Sequence, residues 1–448
     1  MQTSFTPAQL LDPAVASSEQ ILRKCVHCGF CTATCPTYVL LGDELDSPRG
    51  RIYLIKDMLE RGQPATAEIV PHIDRCLSCL ACMTTCPSGV NYQHLVDHAR
   101  AHIEQTHRRP WRERTLRALL AHTLPYPRRL RTALAAARVV RACGSLLPRG
   151  LRGWTLRLPA PLRALFTLLP PRLALAAPAS PAASSAARRG RVALLNGCAQ
   201  GVLSPAAQQA CVRLLTRAGW EVVVIEGCCG SLVHHLGRSS HAQALAARLI
   251  NRLVGERGRR GLDAIVVSAS GCGTHLKDYG YLFRTDPALA HKAAAVTALT
   301  RDITEILHES GLPPRTGEPR SLPIAYHSAC SMQHGQSLDA VPRKLLEEAG
   351  FVLVAFAEGH LCCGSAGTYN ILQPQLAREL RDRKLGHIER TRARLIATGN
   401  VGCMVQLMSA SRLPVVHTAE LLDWATGGPA PAGLGRSEAD DSPGVDAA

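Results

Sequence analysis

Short apolar runs alternate with helical stretches through the second half of the chain. Residues 242–253 and 342–349 have the apolar spacing of amphipathic helices. Runs rich in valine, isoleucine and leucine are predicted strands, and six occur: 191–195, 221–225, 264–267, 324–326, 351–354 and 414–416. This alternation predicts α/β architecture with mostly parallel strands.

The first hundred residues show a different pattern. Ser47 followed by Pro48 is a predicted helix start, because serine caps a first turn and proline is tolerated at the first helical position. An apolar run over residues 52–59 continues that helix. We therefore predict an α-helical domain over residues 1–106 and an α+β multidomain chain overall.

Cysteines follow the predicted strands at a nearly constant interval. Each half has one cysteine, then a Cys-Cys-Gly triplet, then a further cysteine, and the spacing within the two halves is almost the same. Such a repeat indicates an internal duplication. We predict two α/β cysteine-rich domains, over residues 188–320 and 321–425. Their cysteines are Cys198, Cys228, Cys229 and Cys272 in the first, and Cys330, Cys362, Cys363 and Cys403 in the second.

These eight cysteines are a candidate redox site or a candidate further metal site. Ligand sites in open α/β sheets form beyond the carboxyl ends of the strands, so we expect each half to gather its own four cysteines near the interface between the halves. Four thiolates suffice for one more iron–sulfur centre. Reduced thiols and a structural metal are the alternatives.

Two cysteine runs near the N-terminus share the spacing C-x2-C-x2-C-x3-C-P. Every cysteine of the second run lies at one fixed interval after its counterpart in the first. This is the spacing of ferredoxins with two [4Fe-4S] clusters, in which the fourth cysteine of each run ligates the other cluster. The predicted ligand sets are Cys25, Cys28, Cys31 and Cys86 for one cluster, and Cys76, Cys79, Cys82 and Cys35 for the other.

Other uses of these runs fit less well. Three evenly spaced cysteines with a fourth would overfill tetrahedral zinc sites, and disulfides suit small secreted domains. Arg49 and Arg51, at the predicted helix start, are candidates for offsetting the negative charge of a thiolate-ligated cluster. Solvated helix arginines are the equal alternative.

Composition indicates a reducing compartment. The 448 residues include 18 cysteines, and 46% of the chain is hydrophobic, which suffices for several buried cores. The stretch from Met1 to Gln20 lacks the pattern of a signal peptide, and no uncharged apolar run is long enough to cross a membrane. We therefore predict a cytoplasmic protein whose cysteines mostly bind metal. Cys143 and Cys211 fit no motif and are expected to pack in apolar surroundings.

The net charge of +16 is concentrated in one segment. Between His107 and Arg191 the chain has 18 arginines, one glutamate, and neither lysine nor aspartate. Such a segment suits an anionic membrane surface or an acidic partner. Nucleic acid is disfavoured, because aromatic residues are only 4% of the chain and no DNA-binding motif is evident. A solvated helix face is the alternative.

This arginine-rich segment occupies residues 107–187 and is predicted to be helical before a linker. The linker, over residues 173–187, consists mostly of alanine, serine, leucine and proline. The residues after Trp424 are rich in glycine, proline and aspartate, and we predict a disordered tail over residues 426–448.

Together these motifs resemble a known family, the iron–sulfur subunits of glycolate oxidase. The resemblance covers about residues 20–425 and rests on the doubled ferredoxin run, the helix start at residues 47–52 and the two Cys-Cys-Gly domains. Residues 270–275 (SGCGTH) and 360–369 (HLCCGSAGTY) strengthen it. A wider group of similar layout includes iron–sulfur subunits of lactate-oxidising and anaerobic glycerol-3-phosphate dehydrogenases and of heterodisulfide reductases.

The resemblance implies an electron-transfer subunit within a hetero-oligomeric dehydrogenase. Flavin-containing subunits would oxidise glycolate to glyoxylate, and this subunit would pass electrons to a quinone or other membrane acceptor at the inner face of the cell membrane. The sequence agrees, since no G-x-G-x-x-G follows a predicted strand and no P-loop or serine elbow appears. We therefore predict neither a catalytic residue nor a substrate site on this chain. A non-enzymatic redox sensor is the alternative from another class.

One departure concerns the last cysteine of each half. In heterodisulfide-reductase-type domains this cysteine opens a Cys-x-x-Cys pair, whereas here the stretches read Cys272-Gly-Thr-His275 and Cys403-Met-Val-Gln406. An imidazole can replace a thiolate on iron, so His275 is a candidate ligand. A lone histidine is more often structural.

Overall fold

The computed structural model describes residues 1–145, 163–164, 189–317, 321–432 and 434. The predicted linker and all but the first residues of the predicted tail lie outside this range. Within it, no helix is both long and apolar enough to cross a bilayer. The chain is α+β, with a helical N-terminal part followed by two α/β units.

The chain up to Ser145 is helical, as predicted. The predicted helix begins at Pro48, and the Ser47 hydroxyl accepts a 3.0 Å hydrogen bond from the Gly50 amide. Fully buried side chains such as Leu22, Ile55 and Leu95 form the core of this part. The helices are α1 Pro13–Lys24, α2 Pro36–Leu41, α3 Pro48–Arg61, α4 Ile69–Asp74, α5 Ala81–Thr84, α6 Tyr92–Thr106, α7 Trp111–Thr123 and α8 Pro127–Ser145.

The first α/β unit is built on a four-stranded parallel sheet of order β2-β1-β3-β4. Its strands are β1 Gly190–Gly197, β2 Trp220–Gly227, β3 Ala264–Val267 and β4 Thr300–Asp302. Its helices are α9 Gln200–Leu203, α10 Pro205–Arg217, α11 Ser231–His234, α12 Ser239–Arg260, α13 Ser270–Lys277, α14 Tyr279–Leu282, α15 Ala290–Leu299 and α16 Ile303–Ser310.

The second α/β unit repeats this topology, with parallel strands in the order β6-β5-β7-β8. Its strands are β5 Pro323–Tyr326, β6 Val352–Leu353, β7 Leu395–Thr398 and β8 Val415–His417. Its helices are α17 Ala340–Glu348, α18 Tyr369–Leu372, α19 Pro374–Glu389, α20 Val401–Met408 and α21 Thr418–Ala425, and Ser331–Gly335 forms one π-helical turn. The matching strand order supports the duplication inferred from the cysteine spacing.

The six predicted strands are all present, with ends shifted by up to two residues, except that β6 keeps only two of its four predicted residues. The strands β4 and β7 were not predicted. β4 is a three-residue edge strand that reads Thr-Arg-Asp, so it carries no apolar run. β7 is buried throughout but is only four residues long.

The two α/β units share one hydrophobic core. Helices α10 and α21 pack against each other, and Leu214 and Leu422 are fully buried in that core. Cys211 is also fully buried there, which confirms that it packs in apolar surroundings. At the edge of the contact, the buried Asp423 accepts hydrogen bonds from Arg213 and Arg217. The two units are therefore joined as one body.

Candidate metal centres

Two pockets in the helical part gather the cysteines of the N-terminal runs. One is lined by Cys25, Cys28, Cys31, Cys82 and Cys86. The other is lined by Cys35, Cys76, Cys79 and Cys82. Each predicted ligand set is thus brought together, and the fourth cysteine of each run lines the pocket formed by the other run. Cys82 borders both pockets.

The backbone of the two runs bends at equivalent positions. His27 and Gly29 have positive φ angles of 56° and 86°, and their counterparts in the second run, Ser78 and Leu80, have φ angles of 49° and 63°. A non-glycine residue in this left-handed region costs roughly 1–3 kcal/mol and persists only where the surroundings impose it. Both runs therefore adopt one strained wrap, as expected of a chain that curls around a ligand.

A buried arginine contacts the inner cysteine set, which comprises Cys35, Cys76, Cys79 and Cys82. Arg51 is 1% exposed and donates hydrogen bonds to the His72 carbonyl (2.7 Å), the Thr37 hydroxyl (2.9 Å) and the Asp46 carboxylate (3.2 Å). One of its guanidinium nitrogens lies 3.7 Å from the Cys35 sulfur. A cation that donates an N–H to a ligating sulfur offsets cluster charge. The set of sulfur donors, together with this cation, therefore fits an iron–sulfur cluster.

Arg49 behaves differently. Its side chain is 36% exposed and donates to the Glu44 carboxylate at 2.5 Å. The guanidinium of Arg49 also lies over Gly29, where a Cβ atom would meet it. The two candidate arginines therefore differ in burial and in the set they adjoin: Arg51 is buried with its guanidinium next to Cys35, whereas Arg49 borders the pocket of the outer set and its guanidinium forms a surface ion pair.

The cysteine-rich units each gather their own four cysteines. In the first unit the Sγ atoms of Cys229 and Cys272 are 3.3 Å apart, and Cys198 is hydrogen-bonded to Cys228. In the second unit Cys330 and Cys362 have Sγ atoms 3.9 Å apart, and those of Cys363 and Cys403 lie within 4.8 Å of each other. All eight lie in the loop that follows a strand or in the first turn of the next helix.

The backbone conformation explains why each Cys-Cys triplet ends in glycine. Gly230 and Gly364 have φ angles of +91° and +86°, in the left-handed region. A Cβ atom on Gly230 would lie 2.7 Å from the carbonyl oxygen of Ala242 in α12, and Gly364 has the same relation to Ala377 in α19. Only glycine allows the chain to turn there while α12, or α19 in the second unit, packs so closely.

The cysteine groups lie beside the contact between the two units. The hydroxyls of Ser270 and Ser331 are 2.7 Å apart, and the Thr274 hydroxyl donates to the Ser331 carbonyl at 2.8 Å. Cys272 is in the same helix as Ser270 and Thr274, and Cys330 directly precedes Ser331. Both cysteine groups therefore lie near the interface between the halves, where the sequence predicted them.

His275 points elsewhere. Its ring lies 5.1 Å from the ring of His234 and 5.6 Å from that of Tyr279. It lines a cavity of about 430 Å³ between the helical part and the first α/β unit. Burial, with nearby His234 and His235, lowers the pKa of His275 well below its usual range. The interpretation of His275 as a metal ligand has no support from these contacts.

A compact donor group that combines a histidine with two cysteines lies in the second unit. The ligand atoms of His327, Cys363 and Cys403 all lie within 4.8 Å of one another. His327 was not singled out from the sequence. Its signal was its position, since it directly follows β5 and stands three residues before Cys330.

The helical part touches the two units in different ways. Cys79 packs in one apolar cluster with Cys330 and Cys362 of the second unit, and the Thr84 hydroxyl lies 2.8 Å from the His334 ring. Against the first unit, Asp97 pairs with His234 at 3.1 Å, Glu104 with Arg238 at 3.0 Å, and His94 with Asp278 at 2.9 Å. Ala121 and Tyr126 also pack there in an apolar cluster with Cys198 and Cys228, but no cysteine of the N-terminal runs belongs to that cluster. The inner cysteine set therefore faces the second unit.

A helical domain with two cysteine pockets, joined to duplicated cysteine-rich α/β units, defines an iron–sulfur protein of the electron-transfer class. Two family models agree with this assignment. A 4Fe-4S dicluster domain matches residues 24–90, and a cysteine-rich domain matches twice, over residues 192–277 and 324–408.

The chain belongs to the glycolate oxidase iron–sulfur subunit family. It is 41% identical to the glycolate oxidase iron-sulfur subunit of Escherichia coli (strain K12) over 95% of this chain and 99% of that protein. It is 30% identical to the probable glycolate oxidase iron-sulfur subunit of Bacillus subtilis (strain 168), over 91% of this chain and 94% of that protein. Lactate utilization protein A of Exiguobacterium sp. is 27% identical over 52% of this chain and 96% of that protein.

Proposed function

We propose that this chain is the iron–sulfur subunit of a complex that oxidises glycolate to glyoxylate. The two relatives at 41% and 30% identity are named for glycolate oxidase and align with nearly the whole chain. Flavin-containing subunits remove the electrons from glycolate, and this subunit passes them toward a quinone or another membrane acceptor. The sequence supports this division, because it has no dinucleotide-binding fingerprint after a predicted strand.

The chain holds two [4Fe-4S] clusters through crossed ligand sets. The outer set is Cys25, Cys28, Cys31 and Cys86, and the inner set is Cys35, Cys76, Cys79 and Cys82. The linings of the two pockets support the crossing. When bound, such clusters accept and donate single electrons.

The order of the cysteine groups is the observation that carries the proposal. Cys28 of the outer set is exposed, whereas Cys35 of the inner set is buried. Cys82 borders both pockets, and Cys79 packs against Cys330 and Cys362 of the second unit. The sulfur-bearing side chains thus form a continuous series from the surface to the second cysteine-rich unit, which suits passage of electrons between two partners.

The electron-donating flavin subunit docks at the outer set. Val26 and Phe30, on either side of Cys28, are 67% and 64% exposed, and Tyr53 on α3 is 59% exposed. Large apolar side chains exposed beside a redox centre are typical of a protein interface. The occupant is the donor because this is the exposed end of the cysteine series.

The arginine-rich segment attaches the complex to the inner face of the membrane or to an acidic subunit. Arg109 and Arg117 do not contribute to this surface, because both pair with Asp74 and so hold the start of α7 against α4. Arg128 and Arg131 on α8 lie at the surface and remain available. Trp111, Leu119 and Val139 are 67%, 56% and 61% exposed on the same helices. Mixed arginine and apolar exposure is typical of a helix that lies on a lipid surface.

Reconstitution with and without the flavin subunits tests the proposal. The isolated chain, purified anaerobically, should not reduce a dye with glycolate or lactate, and addition of the flavin subunits should restore glycolate-dependent dye reduction. Lactate and glycerol 3-phosphate serve as comparison substrates for the same assembly. Glycolate turnover by the isolated chain would contradict the division of labour, and turnover only with lactate would contradict the substrate.

A further inference from the structure

His327 is a buried histidine with no ordinary partner. It is 1% exposed, and neither of its ring nitrogens has a hydrogen-bond partner among the described residues. A buried polar group left without a partner costs about 1–3 kcal/mol. Its backbone is fixed, since the His327 amide donates to the Ala397 carbonyl at 2.8 Å. The ring is therefore buried next to β7, with no hydrogen-bond partner for its nitrogens among the described residues.

Two thiols complete a ligand-like group with this ring. The donor atoms of His327, Cys363 and Cys403 lie within 4.8 Å of one another, and these residues are 1%, 0% and 2% exposed. Cys362 adjoins Cys363, and its sulfur lies 3.9 Å from the sulfur of Cys330. Imidazole with two or more thiolates is the donor set of thiophilic metals such as zinc and iron.

A buried lysine lies beside these thiols. Lys384 is 2% exposed, and its ammonium donates to the carbonyl oxygens of Glu358 and Gly359 at 2.5 and 3.2 Å. The charge of Lys384 acts on the thiols of Cys363 and Cys403. A buried charge is costly without an opposite partner, and a thiolate-ligated metal centre carries net negative charge.

The first unit has neither feature. Three residues before Cys198, at the position equivalent to His327, stands Leu195. Ile250 stands as far after Cys228 as Lys384 stands after Cys362. Leu195 and Ile250 are 2% and 0% exposed. The same fold thus places apolar side chains at both positions of one unit and polar, nitrogen-bearing side chains at both positions of the other.

We propose that His327, Cys363 and Cys403 bind a metal centre specific to the second unit, with the Cys330 and Cys362 pair supplying further thiolate. The metal is zinc or the iron of a cluster. The Lys384 ammonium offsets the charge that the thiols acquire when they release their protons to the solvent and bind the metal. This inference goes beyond the proposed function and holds whatever the substrate.

Metal analysis of the full chain tests the site. Zinc, iron and acid-labile sulfide are counted per chain in anaerobically purified protein. His327→Leu, which copies the first unit, should lose one equivalent of zinc, or the iron of one cluster, relative to the wild type. His235→Leu removes a half-buried histidine of the first unit that also has an unpartnered ring nitrogen, and should lose none.

A second variant keeps the test decisive if His327→Leu fails to fold. His327→Cys preserves a ligand, so it should retain the metal and shift its spectrum, seen as stronger sulfur-to-metal charge transfer in cobalt-substituted protein for a zinc site, or as altered paramagnetic resonance for an iron site. Wild-type protein with metal only at the N-terminal cysteine sets would overturn the proposal. Unchanged metal content and spectrum in both variants would overturn it equally.

Discussion

The two cysteine-rich units have the same sheet and different surroundings. Their strand orders correspond, and their cysteines recur at a nearly constant interval. The helical part packs on cysteines of both units, but it does so through Ala121 and Tyr126 in the first unit and through Cys79 of the inner set in the second. Ion pairs such as Asp97 with His234 add to the first contact. Among the described residues, only the second unit has a histidine, His327, within 4.8 Å of two of its thiols.

The difference separates what topology determines from what packing determines. Parallel strands direct the loops after their carboxyl ends to one edge, so the cysteines gather in both units. What the cysteines can bind depends on the side chains packed against them, and these have diverged. We infer that the second unit continues the electron path, because its cysteines pack against Cys79 of the inner set.

The largest effect is expected from the crossed cysteines. Cys35→Ala should abolish the paramagnetic resonance signal of the inner cluster, next to the second unit, although Cys35 lies in the first run. Cys86→Ala should abolish that of the outer cluster. Both variants should stop electron transfer from the outer set to the second unit, because each removes one step of the series, but only Cys35→Ala removes the cluster that adjoins the second unit.

The same two variants also test the alternative that each cysteine ligates the cluster of its own run. If Cys35→Ala damages only the signal associated with Cys25, Cys28 and Cys31, the ligand sets do not cross. The metal content of each variant, determined in the same samples, separates loss of one cluster from general unfolding.

Arg51 next to the inner set should matter most for stability. Arg51→Met leaves the buried Asp46 with Arg75 and His72 as partners, so the loss of stability should stay below the ~3–5 kcal/mol that an unpaired buried charge costs. The potential of the cluster that includes Cys35 should also fall, because a cation and an N–H donor near its sulfur are removed. Urea unfolding and a redox titration measure the two effects.

Arg49→Met is the control, two residues away in the same helix. Its ion pair with Glu44 is at the surface and should contribute at most about 1 kcal/mol. Equal destabilisation by both variants would show that the contact of Arg51 with the inner set has no special role.

Serine replacements compare the two units directly. The double variant with Cys330→Ser and Cys362→Ser should slow reduction of the natural acceptor about 100-fold, equivalent to about 2.7 kcal/mol of activation free energy. Cys198→Ser with Cys228→Ser should slow it less than tenfold. Dye reduction at the outer cluster should be unchanged in both pairs, and equal losses of acceptor reduction would contradict the assignment of separate roles.

The sequence predicted the placement of the cysteines better than their surroundings. The spacing of the runs, Ser47 as a cap and the repeat between the halves are local or periodic signals, so they could be read along the chain. The burial of Arg51 could not, because it depends on Thr37, His72 and Asp46 meeting in space.

The same limit applies to the missed features. His327 stands three residues before a cysteine, but its burial and the nearby Lys384 arise from packing of α19 on the second sheet. His275 has an equally suggestive position after Cys272 and instead faces His234. The edge strand β4 forms because β3 offers free backbone groups, not because Thr-Arg-Asp favours a strand.

The arginine-rich helices provide a smaller effect. Arg128→Glu with Arg131→Glu should weaken binding to vesicles that contain anionic lipid by about 2 kcal/mol, since each basic residue near such a surface contributes about 1 kcal/mol. Reversal of the exposed Arg259 and Arg260 on α12 is the control and should change binding little. Unaltered vesicle binding and subunit assembly in the α8 variant would indicate a solvated face.

The smallest effect concerns the pH dependence of the first unit's ionic contact. Burial raises the pKa of Asp97, but its ion pair with His234 outweighs this and holds the pKa well below the usual range. Burial likewise opposes the charged form of His234, and Asp97 again outweighs it, so the pKa of His234 lies above its ordinary value of 6.5. His235 and Arg100 face Asp97, and Asp278 also acts on His234.

The sign follows from these two shifts. The contribution of His234 is complete below pH 6.5 and is lost as the pH rises through its raised pKa, whereas that of Asp97 is lost only in acid. As the pH rises from 6 to 9 the wild type should therefore lose stability that Asp97→Asn never has. Thermal unfolding of both proteins across this range measures the difference. A constant gap between the two unfolding curves would mean that the charge of this contact does not change over the range, and would contradict the prediction.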